Sequence, residues 1–200
     1  MNKFLFLIIA VLVFLAGCSS FGGDKETRKL VAKGLTPKTI YDQAEDMIDA
    51  GSIDQAIEQY QIILSSYPGS KYAIQARLDI AFNLYKRKKH SRAIVELDKF
   101  IEKYPDLQST PYAYYLRGVV AEDKSSSILD NLVTDSAQRD VESVREAYSY
   151  FVDLINTFPN SKYANEASTK LTKLMNTLAR HELYVAIYYT KIGSHIAAIN

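Results

Sequence analysis

Residues 65–76 read SSYPGSKYAIQA, and residues 156–167 read NTFPNSKYANEA. Each copy runs an amphipathic pattern into an aromatic–proline pair, Tyr67-Pro68 or Phe158-Pro159, then a Gly or Asn, then Ser-Lys-Tyr-Ala. Proline has no N–H to give and clashes with the preceding turn, so a helix must end before it. Tyr104-Pro105 marks a third boundary of this kind. A boundary that recurs with an alanine at a fixed offset before it signals internal repetition, and repetition decides a fold before other cues do.

Working outward, the pattern between boundaries is helical almost throughout, and the helices come in pairs. Thr36-Pro37 supplies an N-cap and a proline at the first helical position. Ile40, Ala44, Met47 and Ile48 form one apolar stripe. Gly51 ends that helix, and Ser52-Ile53-Asp54-Gln55 has the spacing of a capping box opening the next. Ala56, Tyr60 and Ile63 follow before Pro68. The order recurs with Ala76, Ile80, Ala81 and Leu84, then Ala93, Leu97 and Phe100; again with Tyr115, Leu116 and Gly118, then Ala147, Phe151 and Leu154. A fourth set has Val185, Ala186, Tyr189, Gly193 and Ala198. These positions resemble the tetratricopeptide repeat, in which small residues let two antiparallel helices approach closely. The expected fold is all-α, a tetratricopeptide-repeat solenoid of antiparallel helix pairs over residues 38–200, with repeats at about 38–68, 74–105, 111–159 and 161–200, the last incomplete.

The spacing departs from the ideal repeat. Ala56, Ala93, Ala147 and Ala198 are 37, 54 and 51 residues apart, against roughly 34 for a standard unit. In the third repeat the excess is Asp123–Arg139, rich in Ser and Asp, which reads as a loop inserted between paired helices. In the fourth, Ala167, Leu171, Leu174 and Leu178 keep helical spacing with no breaker. One long helix from about Ser161 to Ile192 is the expectation.

The N-terminus is a separate segment. Met1–Gly17 begins with Lys3 and continues in an apolar run too short to span a bilayer, the pattern of a secretory signal peptide. Leu15-Ala16-Gly17-Cys18 resembles the lipobox of bacterial lipoproteins, whose cysteine is lipidated and becomes the mature N-terminus. Cys18 is the only cysteine, so no disulfide forms within the chain. Ser19 after it, in place of an aspartate, fits onward transfer to the outer membrane of a Gram-negative cell. Residues 18–37 read as the lipidated N-terminus and a flexible tether. The protein is therefore expected to be anchored to a membrane without spanning it. The chain has 24 basic and 23 acidic side chains, and loss of Lys3 with residues 1–17 leaves the charges balanced. That balance gives no support to nucleic-acid binding.

No catalytic constellation stands out. His90, His181 and His195 share no metal-ligand spacing with acidic partners, and no nucleophile elbow or glycine-rich phosphate loop is present. No cofactor or metal is expected beyond the covalent lipid on Cys18. Acidic pairs such as Glu45-Asp46 and Glu122-Asp123 read as solvated helix faces. The run Lys86-Arg87-Lys88-Lys89 reads as a helix end whose cations complement the dipole. What remains is the surface: stacked pairs form a concave groove lined by the first helix of each pair. The repeat register points Tyr41, Phe82, Tyr85, Tyr112 and Tyr115 into it, and such a lining suits an extended aromatic or apolar peptide.

Taken together, the lipobox, the short tether, the helix pairs, the lengthened third repeat, Tyr115-Leu116-Arg117-Gly118, NTFPNSKYANEA and the stretch Glu182–Tyr189 resemble the BamD (ComL-type) family of outer-membrane assembly lipoproteins. The resemblance covers essentially the whole chain. It implies a non-enzymatic scaffold that helps recognise unfolded outer-membrane proteins and coordinates their folding and insertion. Its implied partners are a barrel-forming subunit, other lipoproteins of the machinery and the unfolded substrates, at the periplasmic face of the outer membrane. Family members usually carry a fifth repeat, which this sequence is expected to lack. A different class of reading is a tetratricopeptide lipoprotein serving as an adaptor for periplasmic cell-wall enzymes.

Overall fold

The computed structural model describes residues 34–129 and 137–199. The signal segment, Cys18 and the tether lie outside these residues apart from positions 34–37. Eight helices follow one another among the described residues, with no strand. They are α1 (Pro37–Asp49), α2 (Ile53–Ser66), α3 (Lys71–Lys86), α4 (His90–Lys103), α5 (Thr110–Leu129), α6 (Ala137–Thr157), α7 (Ala164–Lys191) and α8 (His195–Ile199). Each packs against its neighbours in sequence, and α1 also touches α3 while α3 touches α5. Consecutive pairs thus stack as an all-α solenoid of the tetratricopeptide kind, with the first helices of successive pairs in contact along one wall.

Two turns alternate along the chain, and each has a local cause. Within a pair, the helix closes in a Schellman motif, with crossed bonds that satisfy its last carbonyls. Ser52 donates to the Met47 carbonyl at 2.8 Å and Gly51 to Ile48 at 2.9 Å. Lys89 and Lys88 repeat this onto Leu84 and Tyr85, and Ser194 and Gly193 onto Tyr189 and Thr190. The motif needs a left-handed residue, here Gly51 at φ 77° and Lys88 at φ 57°. Between pairs the aromatic–proline boundary takes over. Ser70 N–H donates to the Tyr67 carbonyl and Ser161 N–H to the Phe158 carbonyl, each at 3.0 Å. The two near-identical stretches therefore make the same turn.

They cap the next helix differently. The Ser70 hydroxyl accepts from Ala73 N–H at 3.1 Å, whereas α7 starts at Ala164 with no side-chain cap. Thr36 caps α1 as expected, accepting from Thr39 N–H at 3.2 Å. Ser52 does not cap α2 through its side chain, so the expected capping box does not form. Its backbone carbonyl still accepts from Ala56 N–H at 3.0 Å, and the Schellman turn already orients the chain.

The core sits where paired helices cross. Ala44, Ala56, Ala81, Ala93, Ala113, Ala121 and Ala147 are fully buried, and Tyr60, Leu97, Phe100, Phe151 and Leu154 fill the space between them. At the third crossing alanine is already too large. A Cβ built on Gly118 would lie 2.5 Å from Phe151 Cε1 and 2.7 Å from Cδ1. The α5–α6 crossing is close because that position carries no side chain.

The third pair corrects one expectation. Asp123–Arg139 is not a loop as a whole: α5 continues to Leu129 and α6 begins at Ala137. Ser and Asp weaken a helix without breaking it, and this stretch has neither Gly nor Pro. Ser125 satisfies its hydroxyl inside the helix, donating to the Glu122 carbonyl at 2.7 Å. Residues 130–136 of the expected insertion lie outside the described ones. The fourth pair opens with one unbroken helix, α7, close to the span read from its spacing.

The crossing supplies the first prediction. Gly118→Ala should lower stability by about 1–3 kcal/mol, the usual range for overpacking, and should lower the thermal midpoint seen by circular dichroism. Gly69→Ala, where a Cβ meets nothing within 4 Å, should leave it nearly unchanged.

Candidate peptide-binding groove

The contacting first helices α1, α3 and α5 present residues at helical spacing along one wall. On α1 these are Tyr41, Glu45 and Ile48; on α3, Gln75, Asp79, Phe82 and Lys86; on α5, Tyr112, Tyr115, Val119 and Glu122. The start of α7 adds Glu166 and Lys170, and Tyr163 immediately precedes that helix.

The five aromatic residues expected here do not share one environment. Phe82 is the open one, 39 % exposed, with Tyr85 beside it at 6.4 Å between ring centroids and the Lys86 ammonium 5.9 Å over its ring. Tyr85 is half-buried and also faces the His90 ring at 6.4 Å. Tyr41 is built into the wall. Its ring lies 5.6 Å from Tyr60 and 5.5 Å from Tyr72, tying α1 to α2 and α3. Tyr112 and Tyr115 converge on Tyr163, at 5.7 Å and, stacked, at 5.1 Å. The wall thus carries two tyrosine clusters, Tyr41-Tyr60-Tyr72 and Tyr112-Tyr115-Tyr163, with Phe82 and Tyr85 further along α3.

Carboxylates partner the tyrosine hydroxyls, a feature the sequence reading missed. Tyr41 donates to Asp79 Oδ2 at 2.7 Å, Tyr60 to Glu45 and Tyr115 to Glu166. Asp79 also accepts from Gln75 Nε2 at 3.0 Å on its other oxygen. Its place on the Gln75–Phe82 stripe was visible in the spacing, but its partner on α1 was not. Burial, reinforced by the carboxylate bond, raises the hydroxyl pKa of Tyr41, Tyr60 and Tyr115 well above the ordinary phenol range. All three stay neutral donors at physiological pH. Burial also raises the Asp79 carboxyl pKa, outweighing the two bonds that favour its charged form, and the nearby Glu45 charge adds to the effect. Tyr112 is raised by burial first, then by Tyr163 and Asp79. Asp79 is thus bonded to the first cluster through Tyr41 and acts electrostatically on Tyr112 of the second.

The other charged motifs resolve into ion pairs. Glu122 and Asp123 are half-buried instead of solvated: Lys170 meets Glu122 at 2.6 Å, and Lys88 and His90 meet Asp123 at 2.8 and 2.6 Å. The Lys86–Lys89 run does not act on the dipole alone, since Arg87 pairs with Asp54 at 3.2 Å and Lys88 with Asp123. Arg117 is clamped by Asp98 at 2.8 Å and Asp153 at 3.3 Å, with the Tyr150 ring 4.2 Å from its guanidinium carbon. That clamp joins α4, α5 and α6 behind the wall. Among the described residues no group of His, Cys, Asp and Glu is placed to hold a metal ion. No described helix is long and apolar enough to cross a membrane.

Asp79 gives a second prediction. A carboxyl whose pKa is raised by folding stabilises the fold in its protonated form, fully below its unfolded pKa, and that contribution fades as pH rises through the folded pKa. Asp79→Asn should therefore raise the thermal midpoint at neutral pH. The gain should shrink as pH falls toward the carboxylate range, in melts followed from pH 7.5 to 3.5.

Residues 33–200 match the family described as YfiO, outer membrane lipoprotein. The chain is 34 % identical to the outer membrane protein assembly factor BamD of Neisseria meningitidis serogroup B over 99 % of its length and 74 % of the relative's. It is 30 % identical to the protein of that name from Xylella fastidiosa strain Temecula1, over 96 % of this chain and 64 % of that one. To the Haemophilus influenzae protein of that name it is also 30 % identical, over 96 % and 71 %. Among solved structures it is similar to one described as MamA RS-1 ArsTM double mutant, at TM-score 0.40 and 20 % identity over 86 % of this chain and 94 % of that one. That last likeness is too distant to bear on the fold. By its match to the family and to these relatives, the chain belongs to the YfiO (BamD) outer membrane lipoproteins.

Proposed function

We propose that this protein is a lipid-anchored component of the outer-membrane β-barrel assembly machinery. In this reading it binds extended segments of unfolded outer-membrane proteins along the wall of α1, α3 and α5. It hands them to a barrel-forming subunit in concert with other lipoproteins of the machinery, and its part is binding, not catalysis. The shared name of its relatives, outer membrane protein assembly factor, supports this role over that of an adaptor for cell-wall enzymes. The observation that carries the binding mode is the tyrosine-lined wall with Phe82 open upon it. Preset aromatic rings bury large area at small entropic cost, and an extended strand offers them alternate side chains. The anchor is Cys18 with its lipid, which holds the solenoid at the periplasmic face of the outer membrane.

Two outcomes test this. Replacing Phe82 and Tyr85 together by Ala should weaken binding of an aromatic-containing strand peptide by roughly tenfold or more, as expected for losing two aromatic anchors, with the helical signal intact. Undiminished peptide crosslinking in that variant would overturn the groove. Cys18→Ala should remove the protein from the outer-membrane fraction; undiminished recovery in that fraction would refute the anchor.

A further inference from the structure

Half-buried carboxylates in this solenoid follow a rule with one exception. Glu96 meets Arg77 and Lys99 at 3.5 and 2.8 Å, Asp98 meets Arg117 at 2.8 Å, and Glu122 meets Lys170 at 2.6 Å. Asp123 meets Lys88 at 2.8 Å, and Glu146 meets Lys124 at 3.0 Å. Asp79 is half-buried too, yet among the described residues no Lys, Arg or His lies within 4.0 Å of it. Among the described residues its side-chain partners are neutral, the Tyr41 hydroxyl at 2.7 Å and the Gln75 amide at 3.0 Å.

Its setting explains what is missing. Removing a carboxylate from water without a counter-charge is costly, and a buried or half-buried one normally acquires a cation. Lys86, on the same stripe of α3, lies two helical turns on, roughly 10 Å along the axis, and is engaged over the Phe82 ring. Lys38, on α1, is engaged with Asp42 at 2.5 Å. Glu45, exposed on the same wall, takes its bond from Tyr60 and adds a second negative charge. Tyr41 donates to Asp79 and packs its ring 5.5 Å from that of Tyr72, whose face already holds the Lys71 ammonium at 5.2 Å, in line with the attraction of aromatic faces for cations. A carboxylate that no described cation neutralises, bonded by a tyrosine on the wall that carries the open Phe82, has the recognition chemistry of a basic side chain.

We propose that the groove selects segments carrying a lysine or arginine that docks over Asp79, next to the aromatic residue held at Phe82 and Tyr85. This rests on the groove reading above and adds charge selectivity to it. Phe82 follows Asp79 on the same helix face, so the wall asks for a basic and an aromatic side chain close together on the same strand. The cation supplies the counter-charge that no described residue gives Asp79.

The test uses a fluorescein-labelled strand peptide of alternating phenylalanine and serine with one central lysine, and the same peptide with that lysine acetylated. Titrations against the folded, lipid-free protein should show the lysine form binding about fivefold or more tightly. Asp79→Asn should abolish that preference, so that the lysine and acetylated peptides bind the variant equally. Equal affinity of both peptides for the wild type, or a lysine preference unchanged in Asp79→Asn, overturns the charge selectivity and leaves the aromatic groove standing. Failure of both peptides to bind the wild type overturns the groove and this inference together.

Discussion

Everything in this solenoid depends on how closely two helices can cross. Where α5 meets α6, Gly118 faces Phe151 with no room for a Cβ, and at the other crossings the same role falls to fully buried alanines. Small residues bring the axes together, and the large rings of Tyr60, Phe100 and Phe151 then lock into the gap on the partner helix. A pair held this tightly cannot bury its remaining apolar edge by itself, so the next pair must stack on it. The aromatic–proline boundary joins one pair to the next, since it stops one helix and lets a serine turn begin the following one.

The groove is a consequence of the stacking. Because α1 touches α3 and α3 touches α5, side chains that would be solvated on an isolated helix become half-buried against the neighbouring pair. That half-burial produces the chemistry of the wall. It raises the hydroxyl pKa of the tyrosines, turns their hydroxyls toward Asp79, Glu45 and Glu166, and leaves Phe82 as the open aromatic surface. It also separates two kinds of carboxylate: those neutralised by a cation, which tie helices together, and Asp79, which is not. The Arg117 clamp belongs to the first kind, and it stiffens the array from behind without entering the groove.

Much of the architecture was legible in the sequence because its causes are local. Proline, glycine and the small residue at each crossing act over a few positions, and so the helix pairs and the unbroken α7 could be read from spacing. The capping box at Ser52 misled because a Schellman turn had already set the backbone. The serine-rich stretch after Asp123 misled because weak helix formers were taken for breakers. For the groove, the register assigned all five first-helix aromatics one role, whereas the structure gives them different surroundings. Whether a tyrosine stands free or is tied into the wall depends on residues far away in sequence: Tyr41 on Asp79, Tyr115 on Glu166. The lack of a cation at Asp79 was the least legible feature, since it concerns what neighbouring helices do not supply.

The central claim is that the wall of first helices, and no other face, receives the peptide. A photoreactive phenylalanine analogue placed at position 82, and separately at Gln61 on the exposed side of α2, tests it directly with an aromatic strand peptide from an outer-membrane protein. The account predicts a saturable adduct from position 82 and none from position 61. Adducts of equal yield from both, or an adduct from position 61 alone, would contradict it.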